Sequence, residues 1–175
     1  MKSKQISFCG IMAAMATVLM LAAWFPYITY AVPCTAALAI MVVLIEYGSK
    51  AALLSYLASV VPIMLFCEGE AKLLYVFFTG FYPVLKALFE KPKSRILEYI
   101  LKFISFNLSV GIIYLSATLV FGVSYDDLGD LGKYGAVIFL VLCNVAFIAF
   151  DFCISKMAQY YLLRFHKTVE KILKK

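Results

Sequence analysis

Charge is scarce in this chain: Asp, Glu, Lys and Arg make up only 15% of its 175 residues, against 65% hydrophobic ones. Soluble domains carry about 25% charged and about 45–50% apolar residues, so a water-soluble fold of this composition would lack the polar surface to cover itself. Histidine is nearly missing, with His166 alone, and the five cysteines (Cys9, Cys34, Cys67, Cys143, Cys153) show no CxxC spacing. A transition-metal site of His/Cys type is therefore not expected. HExxH, GxSxG, the P-loop and GxGxxG are all lacking, which removes the motif-bearing hydrolases, nucleotide hydrolysis by the chain itself and the common dinucleotide cofactors. The expectation is a non-enzyme with no cofactor and no metal. There is no Gly/Ser linker, low-complexity stretch or internal repeat to divide the chain into domains.

What the sequence does have is apolar segments. Crossing a hydrocarbon core of about 30 Å takes about 20 helical residues, and six stretches approach or reach that length: 6–24, 32–45, 51–66, 72–89, 96–121 and 134–159. The second opens on Pro33, tolerated in a first helical turn. Short breaks rich in turn formers and charge separate them. The fold class expected is an all-α integral membrane protein, a compact bundle of about six transmembrane helices with both termini cytoplasmic. Residues 1–160 form the bundle and 161–175 a basic amphipathic tail. The second and third segments are short for a full crossing, which leaves a re-entrant hairpin as the alternative there, although backbone groups at membrane depth favour complete helices. The first segment is too long for a signal-peptide core, so it is expected to be retained.

Orientation follows from the Lys/Arg asymmetry. One set of breaks and ends holds Lys2, Lys4, Lys50, Lys91, Lys93, Arg95, Arg164, Lys167, Lys171, Lys174 and Lys175, whereas the other holds only Lys72 and Lys133. The net charge of +6 then reflects topology and anionic lipid rather than nucleic acid, which is not an expected partner. The outer side is acidic, with Glu68, Glu70, Asp126, Asp127 and Asp130, and crowded with Trp24, Phe25, Tyr27, Tyr30, Tyr75, Tyr125 and Tyr134. These aromatics suit an interfacial belt or, for a few of them, stacking on a flat or cationic ligand. Cys34 and Cys67 fall near the outer ends of neighbouring helices, where a disulfide would need geometry that sequence does not give.

Polar residues inside apolar helices are costly and tend to face the bundle or a cavity. Asn107 and Asn144 fall near the middle of the fifth and sixth segments at matching depth. They either bond each other across the helices or present amides to a polar ligand, with Tyr114 on nearly the same face as Asn107 and closer to the outside. Lys86 and Asp151 suit a buried pair or snorkelling near the inner ends of their helices. Glu98 and Lys102 form an i, i+4 pair in the helix-supporting order. His166 is read as solvated in the tail. Pro62, Pro83 and Gly80 should bend the third and fourth segments.

The first segment carries Gly10-xxx-Ala14 and Ala13-xxx-Thr17 with Cys9 and Ala16 beside them, a small-residue face on which another helix can approach closely, within the chain or from a partner. The tail places Leu162, Phe165, Val169, Ile172 and Leu173 on one side and Lys167, Lys171 and Lys174 on the other, as in segments lying on membrane lipid or on a partner.

With six segments in this length, a small-residue first helix, and an aromatic loop ending in Ala31-Val32-Pro33, the chain resembles the substrate-binding S component of an energy-coupling-factor (ECF) vitamin importer. The resemblance is architectural and spans the whole chain. It implies a multi-pass protein of a bacterial-type inner or plasma membrane that takes up a small vitamin-like solute from outside. It also implies a transmembrane coupling subunit and two cytoplasmic ATPase subunits as partners. The docking face for the coupling subunit falls on Gly10, Ala13, Ala14 and Thr17, and the solute site on Trp24, Tyr30, Glu68, Tyr75, Asn107, Tyr114 and Asn144. Family members for cobalt or nickel begin Met-His, whereas this chain begins Met1-Lys2, which argues against a metal solute. The alternative is a membrane scaffold resembling the rod-shape-determining proteins, which binds partner proteins and no solute.

Overall fold

A computed structural model describes residues 3–91, 95–121, 135–166 and 169, and among them every regular element is helical. Five stretches are long and apolar enough to cross a membrane: Ser3–Trp24, Ala31–Phe66, Gly69–Phe89, Arg95–Ser116 and Val137–Arg164. Helix α1 covers Ser3–Leu21 and runs into a 3₁₀ turn at Ala22–Trp24. Helix α2 covers Ala31–Phe66. A third apolar stretch is built from α3 (Gly69–Leu74), a π-helical segment (Tyr75–Thr79) and α4 (Tyr82–Phe89). Helices α5 (Arg95–Phe121) and α6 (Gly135–Arg164) follow.

The sequence leads one to expect six separate segments, and the difference lies in α2. Helical bonding runs through residues 46–50, where a break is expected, yet Gly48 sits at φ 82°, ψ 178°, far outside helical geometry. That region is open to glycine almost alone. A straight helix of 36 residues would be about 54 Å long, but the two ends of α2 lie side by side. Tyr30, just before α2, donates a hydrogen bond to Glu70, just after it. The Trp24 indole N–H donates to the Phe66 carbonyl at 3.1 Å. The chain therefore folds back at Gly48 into two arms, 31–47 and 49–66. The reversal lies at the start of α1, where the rings of Phe8 and Tyr47 meet at 5.5 Å.

Two cores hold the bundle. The first packs α1 against both arms of α2 through small side chains: Ala16, Ala36 and Ala52 are fully buried, with Met20, Ile40, Val43 and Ile63 filling the spaces. Alanine lets helix backbones approach closely, which matters in lipid, where no hydrophobic drive separates a helix neighbour from a lipid tail. The second core is aromatic. Phe106 of α5 stacks on Phe147 of α6 at 4.6 Å, and Phe78 and Tyr82 meet Phe147 edge-on at 5.7 and 5.6 Å. Outside it, α6 presents Val141, Leu142, Val145, Ile148 and Phe152 to the surroundings, an apolar surface suited to hydrocarbon. Cys34 and Cys67 are both free thiols.

Candidate functional site

The two loops at the end opposite Gly48 meet in a rim of aromatic and acidic groups. Trp24 and Tyr30 are largely exposed and Tyr27 is 99% exposed. Trp24 is nevertheless fixed by its bond to Phe66, and Tyr30 by its bond to Glu70. Donating to Glu70 favours the neutral Tyr30 hydroxyl: that hydrogen bond, partial burial and the charges of Glu70 and Glu68 push its pKa up to about 12. Glu68 has a structural task. It stands in extended geometry before α3, and its carboxylate accepts from the Ala71 N–H at 2.8 Å, satisfying one of the orphan donors of a helix start. Tyr75 lies beneath the rim, fully buried, with its hydroxyl 2.9 Å from Ser59.

The other proposed site residues sit on α5 and α6. Asn107 and Asn144 bond each other: each amide nitrogen donates to the other's oxygen, at 3.1 and 3.3 Å. Each also donates to a carbonyl of its own helix, Phe103 and Leu140, at 2.8 Å. Tyr114 is half-buried two turns along α5 from Asn107. The first-helix face divides in two. Gly10 and Ala14 are exposed, and a Cβ added at Gly10 meets nothing within 4 Å. Ala13 is buried in the alanine core, and Thr17 is half-buried with its hydroxyl bonded to the Ala13 carbonyl at 3.0 Å.

A charged cluster where α4, α5 and α6 meet is larger than the two expected pairs. Asp151 of α6 pairs with Lys86 of α4 through Oδ1, which also accepts from the Tyr82 hydroxyl at 2.7 Å. Its Oδ2 lies 3.3 Å from Lys102 of α5. Lys102 in turn meets Glu98 at 2.6 Å, and Glu90 stands 3.3 Å from both lysines. Both ammonium groups are buried, with the Lys86 and Lys102 side chains 8% and 3% exposed. Burial of two cations is sustained by three carboxylates that surround them, since an uncompensated buried charge costs several kcal/mol, on the order of 3–5. The sequence suggests Lys86–Asp151 and Glu98–Lys102 as two separate pairs, and both form; it does not show that Lys102 reaches Asp151 and that Glu90 bridges both lysines, which joins the pairs into one cluster.

A second polar contact, beside the Gly48 reversal, is not foreseen from the sequence. The Glu46 side chain, 4% exposed beside the Gly48 reversal, accepts from the Tyr161 hydroxyl at 2.7 Å and lies 2.8 Å from His166 Nδ1. His166 thus has a carboxylate partner rather than standing alone in solvent as expected for the tail. The end of α6 is fastened to the turn of α2. Among the described residues, no group of three His, Cys, Asp or Glu side chains converges as metal ligands would. Compared with known proteins, the chain matches no protein family, no curated protein and no solved structure.

Proposed function

We propose that this protein is the membrane-embedded, solute-binding subunit of an ECF-type importer, and that it takes a small vitamin-like compound at its outer rim. The observation that carries the reading is the joined pair of outer loops. Trp24 and Tyr30 are exposed yet held in place by Phe66 and Glu70, so aromatic faces and a carboxylate are pre-positioned beside one another. Such groups suit a flat, polar or cationic solute. On this reading the two arms of α2 cross separately, giving six crossings. Lys4, Lys50, Lys91, Arg95 and Arg164 then share the cytoplasmic face, in keeping with the positive-inside rule. Exposed Gly10 and Ala14 offer the close-approach surface for a transmembrane coupling subunit, whose two cytoplasmic ATPases supply the energy that this chain has no motif to provide.

The test is a thermal-shift screen of the detergent-purified protein against water-soluble vitamins and their precursors. A bound compound at 100 times its dissociation constant stabilises by about 2.7 kcal/mol, and the shift should vanish when Trp24 or Tyr30 is replaced by alanine. A panel that produces no shift removes the solute-binding reading. One observation favours a second reading, a scaffold that binds partner proteins only: Asn107 and Asn144 satisfy each other, as expected of a bundle interior made for packing. Co-purification of a cell-envelope assembly protein, without any solute, would support that alternative.

A further inference from the structure

The arm 49–66 and the stretch beginning at Gly69 run antiparallel around the turn at Cys67 and Glu68, and a line of hydroxyls runs between them. Ser59 and Tyr75 bond across this seam at 2.9 Å. One helical turn closer to Gly48 come Ser55, four residues before Ser59, and Thr79, four residues after Tyr75. Because the two elements are antiparallel, these offsets bring Ser55 and Thr79 to the same level of the seam. Each is 1% exposed. Neither Ser55 Oγ nor Thr79 Oγ1 has a hydrogen-bond partner.

That is unusual for this chain. A hydroxyl inside a helix ordinarily donates back to a carbonyl of the preceding turn, as Ser59 does to Tyr56 at 2.7 Å, Thr17 to Ala13 at 3.0 Å and Ser109 to Ser105 at 2.9 Å. The backbone beside Thr79 is also irregular. Residues 75–79 are π-helical, with the Gly80 N–H reaching the Tyr75 carbonyl, and the Val76 carbonyl accepts from the Tyr56 hydroxyl at 2.6 Å. Gly80 leaves room for the Tyr56 ring, which an added Cβ would approach to 2.7 Å. Ser55 and Thr79 thus stand unpaired between two elements, at a depth where every polar group needs a partner.

We propose that Ser55 and Thr79 together bind one ordered water molecule in this seam. Water both donates and accepts, and a buried site for it requires two or more polar partners, which the two hydroxyls supply from opposite elements. A metal cation would find two neutral oxygens here, and no His, Cys, Asp or Glu group gathers as its ligands among the described residues. The bound water ties the second arm of α2 to the π-helical segment directly below the Ser59–Tyr75 bond.

A crystal structure of the full chain grown in lipid, at a resolution that shows ordered water, should have a density peak within hydrogen-bond reach of both oxygens. Hydroxyls bonded to each other or to their own helices, without the peak, would overturn the assignment whatever the melts below show. Thermal melts give an independent check. Ser55→Ala and Thr79→Val should each lower the melting temperature by several degrees. The double variant should fall by clearly less than the two losses together, because the water leaves with the second hydroxyl. Thr79→Ser, which keeps the oxygen, should melt like the unaltered protein and shows that the site tolerates change. Additive losses or silent single variants count against a shared ligand. A melting temperature that rises saturably with sodium chloride, but not with potassium or choline chloride, would assign the pair to a cation and overturn the proposal.

Discussion

Asn107 and Asn144 hold each other by two hydrogen bonds across α5 and α6. In a single substitution the remaining amide keeps the bond to its own helix and loses the cross-helix pair. Replacing either by leucine should lower stability by about 0.6 to 2 kcal/mol, the range of interhelical hydrogen bonds in lipid. The Leu/Leu double variant should recover part of that loss, since no amide is then left facing apolar surroundings. Melts of the singles and the double in detergent decide the point. Additive losses would mean that the pair is not coupled.

Asp151→Asn should be far more damaging than either asparagine change. It leaves Lys86 and Lys102 buried with a neutral group between them, and breaking a buried pair from one side costs about 3–5 kcal/mol. Pairing it with Lys86→Met restores the charge balance and should return much of the stability. Equal losses in the single and the double variant would show that Asp151 acts through packing alone.

Gly48→Ala and Gly10→Ala should have opposite signs. At neither position would the added methyl meet an atom within 4 Å, so backbone conformation alone decides. Alanine at Gly48 must adopt φ 82°, ψ 178°, at a cost of about 1–3 kcal/mol. Alanine at Gly10, within α1, gains about 0.5–1 kcal/mol over glycine. Paired melts read both, and a neutral Gly48→Ala would mean that the reversal does not depend on its glycine.

The two halves of the α1 small-residue face should part company when made bulky. Ala13→Trp forces a large ring into the alanine core and should destabilise by about 1–3 kcal/mol or more. Gly10→Trp and Ala14→Trp, on the exposed side, should leave the melting temperature and solute binding unchanged while abolishing uptake in cells that supply the coupling subunit and ATPases. Uptake that survives both would assign this surface to lipid.

Orientation can be read by thiol labelling in a cysteine-free background. A cysteine at Tyr27 should react with an impermeant reagent from outside intact cells, and one at Lys50 only after the inner face is opened. The reverse pattern would invalidate an outward-facing rim.

The helical segments were legible because their apolar runs are long and charge gathers at their ends, a signal carried by composition. The start of α2 at Ala31, with Pro33 in its first turn, and its end at Phe66 fall within a residue of where the sequence places the starts and ends of those segments. The break at 46–50 was legible as a cluster of Glu46, Gly48 and Lys50, but its form was not, because helical bonding continues on both sides of a single glycine. At the rim, residue type and loop position marked Trp24 and Tyr30 as belt or stacking aromatics and Glu68 as a loop acid, and only the family resemblance made them site residues. The sequence could not tell an exposed aromatic from Tyr75, equally aromatic and wholly buried, because burial there depends on Ser59 in another element. The Lys86–Asp151 and Glu98–Lys102 pairs were legible by depth and spacing, but their union needed α4, α5 and α6 brought to one point, and no local spacing reports that.

The reversal at Gly48 bears on how the chain enters the membrane during synthesis. Its arms are short for independent spans, and their ends are joined at Trp24–Phe66 and Tyr30–Glu70. A nascent chain in which each arm shields the other's flank can partition into lipid as a paired hairpin, so the first arm waits at the translocation channel until the second has emerged. If the arms enter as a pair, partly inserted chains should hold 31–66 outside the bilayer or inside it, never one arm alone.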